Sequence, residues 1–239
     1  VSRQMNKQDV TPQLRRRLRR LGFALSRIKT RPEYLRGYDL APDVVFDVGV
    51  MDGTPYLYDA FAQAKFVLID PLKESRESIA GQGLAIDYDF HTVAVGAVPG
   101  TLTLNIPTTK PGKGADMASF LDRRDGSESE FSSVEAREVE VTTLDALAAG
   151  YDGRFGLKID TEGFELSVVQ GAARMLKACD FVILEMSVTQ RFAGVAPPSE
   201  VIALLAAAGL ELRDVLAVAP QPHRPMPPRH MDLLFTRWA

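Results

Sequence analysis

The sequence predicts an α/β fold built on a mostly parallel sheet. Short apolar runs alternate with helical patterns over residues 44–95, which is typical of parallel strands joined by right-handed crossovers. In addition, a strand-like run from Val44 to Val48 enters a glycine turn, and Thr54 and Pro55 then begin a helical pattern. A strand, a glycine turn and a helix N-terminus in this order form the usual nucleotide-binding corner of such a sheet.

The composition limits the class of protein. The chain has 239 residues, 46% hydrophobic and 25% charged, which is ordinary for a soluble globular protein with a substantial core. The single cysteine, Cys179, excludes an intramolecular disulfide and a cysteine-based zinc site. The longest apolar run, residues 201–210, is far shorter than the roughly twenty residues that span a bilayer. With no apolar segment after the basic N-terminus, we predict no signal peptide and a cytoplasmic location.

The N-terminal part differs in charge from the rest. Residues 1–37 carry eleven Lys and Arg against two acids, whereas the remainder carries 17 against 29. We therefore divide the chain into a basic helical arm (1–43) and a domain (44–239), and predict no nucleic-acid partner for the acidic domain. A helix beginning at Thr11 and Pro12 would carry an apolar stripe among its arginines: Leu14, Leu18, Leu21, Leu25 and Ile28.

Two interpretations of the arm stay open. The apolar stripe could pack on the domain and leave the arginines solvated. Alternatively, residues 12–31 could form an amphipathic surface that binds an anionic membrane, which would place the protein at the inner membrane face, or an acidic partner. Homo-oligomer formation is compatible with either interpretation.

In the first half of the domain, the sequence pattern predicts helices at 55–63 and 75–79 and strands at 66–70 and 90–95. An extended segment at 101–106 follows. Residues 107–135 are rich in Gly, Ser, Lys and Asp. A loop of this length inside a compact domain is usually a functional lid or a disordered segment, and we leave both open.

The second half predicts a strand at 138–144 and a short helix to residue 150, capped by Thr143 or Asp145. A strand at 155–160 precedes a helix at 162–178, and a strand at 181–185 precedes a helix that Ser199 caps and Gly209 ends. Residues 210–218 and 232–237 then predict a closing hairpin.

Four predicted strands end in acids: Asp47, Asp70, Asp160 and Glu185. Ligands of open α/β sheets bind at the carboxyl ends of strands, so packing alone does not explain acids collected at that edge. Asp70 lies about twenty residues beyond the first glycine turn, the distance at which a carboxylate can bind ribose hydroxyls; the alternative is a simple Asp-Pro turn.

The glycine turn does not fit a dinucleotide. The dinucleotide fingerprint needs glycine two residues after its first glycine, where this chain has Met51 after Gly49. That side chain would obstruct a pyrophosphate. An acid beside the turn instead suits a cationic group such as an ammonium. An adenosine joined to an amino acid with no phosphate between them is S-adenosylmethionine.

Several blocks in order resemble the FkbM-type family of S-adenosylmethionine-dependent O-methyltransferases. They are Phe-Asp-Val-Gly-Val-Met-Asp-Gly at 46–53, Val-Thr-Thr-Leu-Asp at 141–145, Leu-Lys-Ile-Asp-Thr-Glu-Gly-Phe-Glu at 157–165, Val-Ile-Leu-Glu at 182–185 and Met-Asp-Leu-Leu-Phe at 231–235. The resemblance covers about residues 44–237. The family usually has Ala-Asn-Ile where this chain has Val50, Met51 and Asp52.

The resemblance implies a Rossmann-like class I methyltransferase fold with a seven-stranded sheet whose last strand is antiparallel. It also implies a hydroxyl acceptor on a sugar, glycolipid or natural product. Asp47, Gly49 and Gly53 would line the methionine end of the cofactor, with Asp52 included in the site. By the same analogy Asp70 would hold the ribose, and the end of the third strand would flank the adenine through Ala94 and Val95.

Lys158, Asp160 and Glu162 are the predicted catalytic residues. Lys158 and Asp160 share a strand face because side chains alternate. We expect Asp160 and Glu162 to face the sulfonium and the acceptor hydroxyl, with one of them accepting or orienting the hydroxyl proton. Alternatively, these acids favour a helix N-terminus and Lys158–Asp160 is a buried ion pair. Their oxygens suit Mg²⁺, but the spacing requires no metal.

The remaining candidates and rival functions are less specific. We interpret His91 as structural, whereas His223 and His230 are equally compatible with structural and functional roles, as is Glu185. A nicotinamide-dependent oxidoreductase is disfavoured by Met51. A non-catalytic binding module that docks through the basic arm stays an alternative.

Overall fold

The computed structural model describes residues 12–23, 27–109, 117–219 and 228–238. These ranges contain ten strands: β1 Val44–Val48, β2 Lys65–Ile69, β3 Tyr88–His91, β4 Ala94–Val95, β5 Gly100–Thr109, β6 Phe131–Thr142, β7 Phe155–Ile159, β8 Cys179–Ser187, β9 Leu210–Ala219 and β10 His230–Arg237. They also contain seven α-helices: α1 Pro12–Arg20, α2 Pro32–Leu35, α3 Pro55–Ala60, α4 Lys73–Gln82, α5 Leu144–Ala148, α6 Glu165–Gln170 and α7 Pro198–Ala207.

Seven strands form one sheet in the order β3-β2-β1-β7-β8-β10-β9. Strands β3, β2, β1, β7 and β8 are parallel to one another, and β10 is antiparallel to both β8 and β9. This arrangement confirms the predicted Rossmann-like sheet with an antiparallel last strand. All five residues of β1 are buried, as expected for a strand covered on both faces.

A second, three-stranded sheet in the order β4-β6-β5 lies beside the large one and corrects the predicted strand at 90–95. The chain leaves the large sheet after His91, and Ala94 and Val95 pair with Val141 and Thr142 of β6 instead. The physical reason is burial: Ala94 joins an apolar cluster that covers β5 and β6, with Leu72, Leu104, Ile106, Val139 and Val141.

Other elements differ from the predictions mainly in length. Strands β5 and β6 cover the two ends of the segment predicted as a loop at 107–135, since β5 continues to Thr109 and β6 begins at Phe131. Helix α6 is six residues long, not seventeen, and a separate 3-10 turn covers Met175–Ala178. Ser199 is not a cap, because α7 begins at Pro198 and its N-cap position is Pro197. Thr143 does cap α5, accepting a hydrogen bond from the Ala146 N–H.

The N-terminal arm reaches the far edge of the sheet. Helix α1 has no buried residue and ends at Arg20, before Leu21, while Thr11 and Leu25 lie outside the described residues. Further along, Lys29, Tyr34 and Tyr38 all donate hydrogen bonds to the carboxylate of Asp214 on β9.

Burial raises the pKa of Asp214, but its hydrogen bonds from Lys29 and the two tyrosines outweigh that effect and lower it to about 2. This carboxylate therefore ties residues 29–38 to the sheet. Within the described ranges, every helix is too short or too polar to pass through a bilayer.

Candidate active site

A cavity of about 470 Å³ opens at the carboxyl ends of β1, β2 and β7. Its size lies in the range of small-molecule sites. Strands β2 and β7 flank β1, so the strand order changes direction here, and this is where open α/β sheets bind ligands. The cavity brings together nearly all of the predicted site residues: Gly49, Asp52, Gly53, Asp70, Ala94, Val95, Lys158, Asp160 and Glu162.

The glycine turn after β1 forms the floor of the cavity. Gly49 has φ +76°, and a Cβ placed there would lie 1.8 Å from the carbonyl oxygen of Asp160. Only glycine allows the ends of β1 and β7 to approach this closely. Met51 adopts φ +45°, a left-handed conformation uncommon for a side chain of its size.

Asp70 stabilises this turn. Its Oδ2 accepts a hydrogen bond of 3.0 Å from the N–H of Met51, and its Oδ1 accepts one of 2.9 Å from the N–H of Leu72. Burial raises the pKa of this carboxyl, and the two backbone donors oppose the shift. Each oxygen retains a free lone pair, so Asp70 can still accept hydrogen bonds from a ligand.

The opposite wall is apolar. Leu72, Ala94, Val95 and Leu104 line it, and Ala118 and Phe120 close it from the segment that follows residue 116. The ring of Phe120 packs against that of Phe164 with centroids 4.7 Å apart. This slot can hold a flat apolar ring such as adenine.

Segment 117–126 is anchored over the cavity and lies within the predicted loop. The Ser119 hydroxyl donates to the carbonyl of Glu162 at 2.7 Å, and the N–H of Arg124 donates to the carbonyl of Arg191 at 2.7 Å. This segment therefore closes one side of the site. The loop predicted as a lid or a disordered segment also includes residues 110–116, which lie outside the described residues.

Asp47 departs from the prediction. Its side chain is fully buried and lies behind the cavity wall, where the Tyr58 hydroxyl donates to Oδ2 at 2.9 Å. The reason is register: Asp47 pairs with Lys158 on β7, and both side chains leave the sheet on the same face. Asp47 can reach a ligand only through Lys158.

Lys158 links the buried acid to the cavity. Its Nζ lies 3.2 Å from Oδ2 of Asp160 and 3.7 Å from Oδ1 of Asp47. Burial lowers the pKa of Lys158, but the carboxylates of Asp160 and Asp47 outweigh it and the net shift is upward. The ammonium is thus charged, and it forms an ion pair with Asp160, whose side chain stays partly exposed to the cavity.

Glu162 is held by two arginines. Its Oε2 lies 2.8 Å from the guanidinium of Arg191 and 3.1 Å from that of Arg123. Burial raises the pKa of Glu162, and the two arginines offset that rise only in part, so the net shift is upward. Since its charge is already neutralised, Glu162 is less available as a proton acceptor than Asp160, whose side chain is 34% exposed.

Arg191, almost fully buried, extends this network to β8 and β10. It donates to Oε1 of Glu185 at 3.0 Å and to Nδ1 of His230 at 2.9 Å. Arginine has only donors, so Nδ1 of His230 is an acceptor and the ring is neutral. Burial lowers the pKa of His230 to about 4 and raises that of Glu185 to about 8.

The sequence analysis missed three groups that line the cavity: Tyr56, Phe120 and Asp232. Asp232 lies in the motif at 231–235, which gave a signal for it. An antiparallel strand presents its first residues at this edge of the sheet, and Asp232 is therefore near the cavity. His91 contacts the Tyr151 hydroxyl at 3.3 Å, away from the cavity, and His223 lies outside the described residues.

Glu165, the last residue of the motif at 157–165, is structural. Its Oε1 accepts hydrogen bonds from the N–H groups of Thr161 and Gly163 and closes the turn before α6. Burial raises its pKa to about 7, against those hydrogen bonds. In the described part of the chain, no three His, Cys, Asp or Glu side chains are grouped so that they could hold a metal ion.

Comparisons with known proteins identify the family of the chain and proteins of similar fold. A model of the methyltransferase FkbM domain matches residues 47–217. The fold is similar to that of magnesium protoporphyrin IX methyltransferase from Synechocystis PCC 6803 (10% identity; 85% of this chain and 74% of that chain; TM-score 0.47). It is also similar to fibrillarin from Aeropyrum pernix (11%; 89% and 70%; 0.44) and to 1,6-didemethyltoxoflavin-N1-methyltransferase from Burkholderia thailandensis (13%; 86% and 76%; 0.41). No curated protein sequence matches the chain.

Proposed function

Because the chain belongs to the FkbM methyltransferase family, we propose that it is an S-adenosylmethionine-dependent O-methyltransferase acting on a hydroxyl of a sugar, glycolipid or natural product. One observation supports this most. A single cavity contains a carboxylate for a ribose, an apolar wall for a base and a second carboxylate for a cationic group, with the two carboxylates at the ends of different strands.

The cavity fits the cofactor part by part. We assign Asp70 to the ribose hydroxyls and the apolar wall that includes Leu72 and Phe120 to the adenine, because all three line the cavity. The turn at Gly49 brings the ends of β1 and β7 into close contact at the edge of the cavity, and Asp160 offers negative charge next to it. Met51 occupies the position where a dinucleotide would need glycine, which argues against a nicotinamide cofactor.

The acceptor would enter beside Tyr56, Glu185 and Asp232. These groups form a polar wall next to Asp160. A phenol and several carboxyl groups can pair with the many hydroxyls of a sugar, whereas a purely apolar acceptor would leave them unpaired. This polarity supports a polyhydroxylated acceptor.

Methyl transfer from a sulfonium depends more on the alignment of the two reactants than on a strong acid or base. When bound, S-adenosylmethionine supplies an electrophilic methyl group on its sulfonium. Holding two reactants in line contributes roughly 7–11 kcal/mol to lowering a barrier, and a general base adds about 10²–10⁴-fold. Asp160 is the carboxylate placed to orient the acceptor hydroxyl and take its proton, since Glu162 is neutralised by Arg123 and Arg191.

Calorimetric titration tests the cofactor assignment. We expect the wild-type chain to bind S-adenosylmethionine and S-adenosylhomocysteine and to show no binding of NADH. Asp70→Asn should weaken binding of S-adenosylmethionine about tenfold, because the amide is a poorer acceptor for the ribose hydroxyls. Asp59→Asn is the matched control: Asp59 is exposed and does not line the cavity, so affinity should change less than twofold. NADH binding without S-adenosylmethionine binding would contradict the proposal.

A second experiment separates an enzyme from a binding module of the same fold. Candidate glycans and lipids are incubated with the protein and methyl-labelled S-adenosylmethionine, and the products are analysed by mass spectrometry. Transfer of one labelled methyl group to an oxygen supports the proposal. Cofactor binding without transfer to any acceptor class would favour the non-catalytic alternative.

For the arm, we propose contact with an anionic membrane surface at the cytoplasmic face. Helix α1 carries five arginines and has no buried residue, and Leu21, Phe23 and Ile28 nearby are each more than 60% exposed. We expect co-sedimentation with vesicles containing 30% phosphatidylglycerol, roughly tenfold weaker at 0.5 M salt. Replacing Arg15, Arg16 and Arg17 with Glu should abolish it, and equal binding to pure phosphatidylcholine would contradict the proposal.

A further inference from the structure

The buried pair Asp47 and Lys158 lies next to Asp160 but has no role in the reaction described above. Oδ1 of Asp47 is inaccessible to solvent and has no hydrogen-bond partner in the part of the chain that the structure describes. A carboxylate oxygen left unpaired in the interior is costly, so its retention needs an explanation. Its other oxygen is satisfied by the Tyr58 hydroxyl.

The partner that could satisfy Oδ1 is close. Nζ of Lys158 is 3.7 Å away, and a movement of roughly 1 Å would bring it to hydrogen-bond distance. In the structure Lys158 instead donates to Oδ2 of Asp160 at 3.2 Å. The ammonium thus lies between an accessible carboxylate that faces the cavity and a buried one that does not.

We infer that Lys158 is a positioning residue that moves from Asp160 to Asp47 when the cationic end of the cofactor binds. With Lys158 on Asp160, as in the structure, the cavity carboxylate is neutralised. An arriving cation takes the place of the ammonium on Asp160, and Asp47 receives Lys158 with an oxygen that is already free. Asp47 therefore contributes to cofactor affinity without touching the cofactor. This inference rests on the proposed function.

The charges of the three groups support this exchange. Two carboxylates and one ammonium leave one net negative charge, which is what a bound cation requires. If Asp47 were neutral, Lys158 would have only Asp160 as a charged partner and would compete with the cofactor for it. If Lys158 were also removed, Asp160 would be free to bind the cofactor directly.

A double-mutant cycle with S-adenosylmethionine as the titrant tests the exchange. We expect Asp47→Asn to weaken binding about tenfold and the double variant Asp47→Asn/Lys158→Met to recover wild-type affinity to within about threefold. Tyr58→Phe is the control, because it removes a hydrogen bond to Asp47 but no charge; its affinity should change less than twofold. Thermal unfolding of each variant shows whether it is folded at the titration temperature.

The outcomes separate the two proposals. Absence of S-adenosylmethionine binding to the wild-type chain contradicts the proposed function. Wild-type binding together with unchanged affinity in Asp47→Asn overturns the exchange alone. So does a double variant that binds as weakly as Asp47→Asn, or a Tyr58→Phe variant that loses as much affinity, since either would show that Asp47 acts only by supporting the fold.

Discussion

Gly49→Ala should lower the free energy of unfolding by about 4 kcal/mol or more, enough to leave little folded protein. The added Cβ would lie 1.8 Å from the backbone carbonyl oxygen of Asp160, and a backbone atom cannot turn aside as a side chain can. The φ of +76° adds a further penalty for any residue with a Cβ. Urea denaturation followed by circular dichroism measures the change.

Two other glycines provide the controls. Gly83 also has a positive φ, +61°, but a Cβ there meets nothing within 4 Å, so Gly83→Ala isolates the backbone strain at about 1 kcal/mol. Gly81 lies in helix α4 with open space around it, and Gly81→Ala should stabilise the protein by roughly 0.5–1 kcal/mol. If Gly49→Ala were no more destabilising than Gly83→Ala, the contact between β1 and β7 would not limit this position.

The sequence was sufficient to predict the sheet and most of the cavity. Buried parallel strands appear as continuous apolar runs, so Val44–Val48 and Phe155–Ile159 were recognisable from short segments. Their last residues necessarily meet at one edge, and for that reason Gly49, Asp70 and Asp160 could be assigned to one site before their distances were known.

What the sequence could not predict depends on which way a side chain points. Asp47 ends the same strand as the glycine turn, yet its register with Lys158 directs it behind the cavity wall. Ala94 and Val95 lie at the predicted position, but in a second sheet whose pairing is set by residues about 47 positions away. Neither the strand register nor this non-local pairing is encoded in a local pattern.

The network around Glu162 was not predictable for a similar reason. Arg123 comes from a segment without periodicity, and Arg191 follows β8 in a loop, so nothing near either residue indicates an ion pair with Glu162. Both guanidiniums also lie over the ring of Phe192, at 4.8 and 5.2 Å from its centroid. Their shared surroundings mark Glu162 as the anchor of segment 117–126 rather than as a base.

This distinction leads to a second large expected effect, in which Asp160→Asn lowers kcat/KM for the labelled acceptor by about 10²–10³-fold. The amide keeps the shape of Asp160 but removes the charge next to the cofactor and the group that takes the hydroxyl proton. Its Oδ1 has no hydrogen bond to any residue that the structure describes, so it is free to receive the acceptor.

Glu162→Gln is the matched comparison for that variant, since it makes the same chemical change two residues further along the chain. There we expect a loss of about 1–3 kcal/mol in the free energy of unfolding, because each of two buried arginines loses one of its counter-charges. We expect kcat to fall by less than tenfold. Steady-state kinetics at saturating S-adenosylmethionine separate rate from affinity. If Asp160→Asn binds the cofactor and turns over at the wild-type rate, Asp160 is not catalytic. If instead Glu162→Gln is the slower enzyme, the proton passes to Glu162 despite its two arginines.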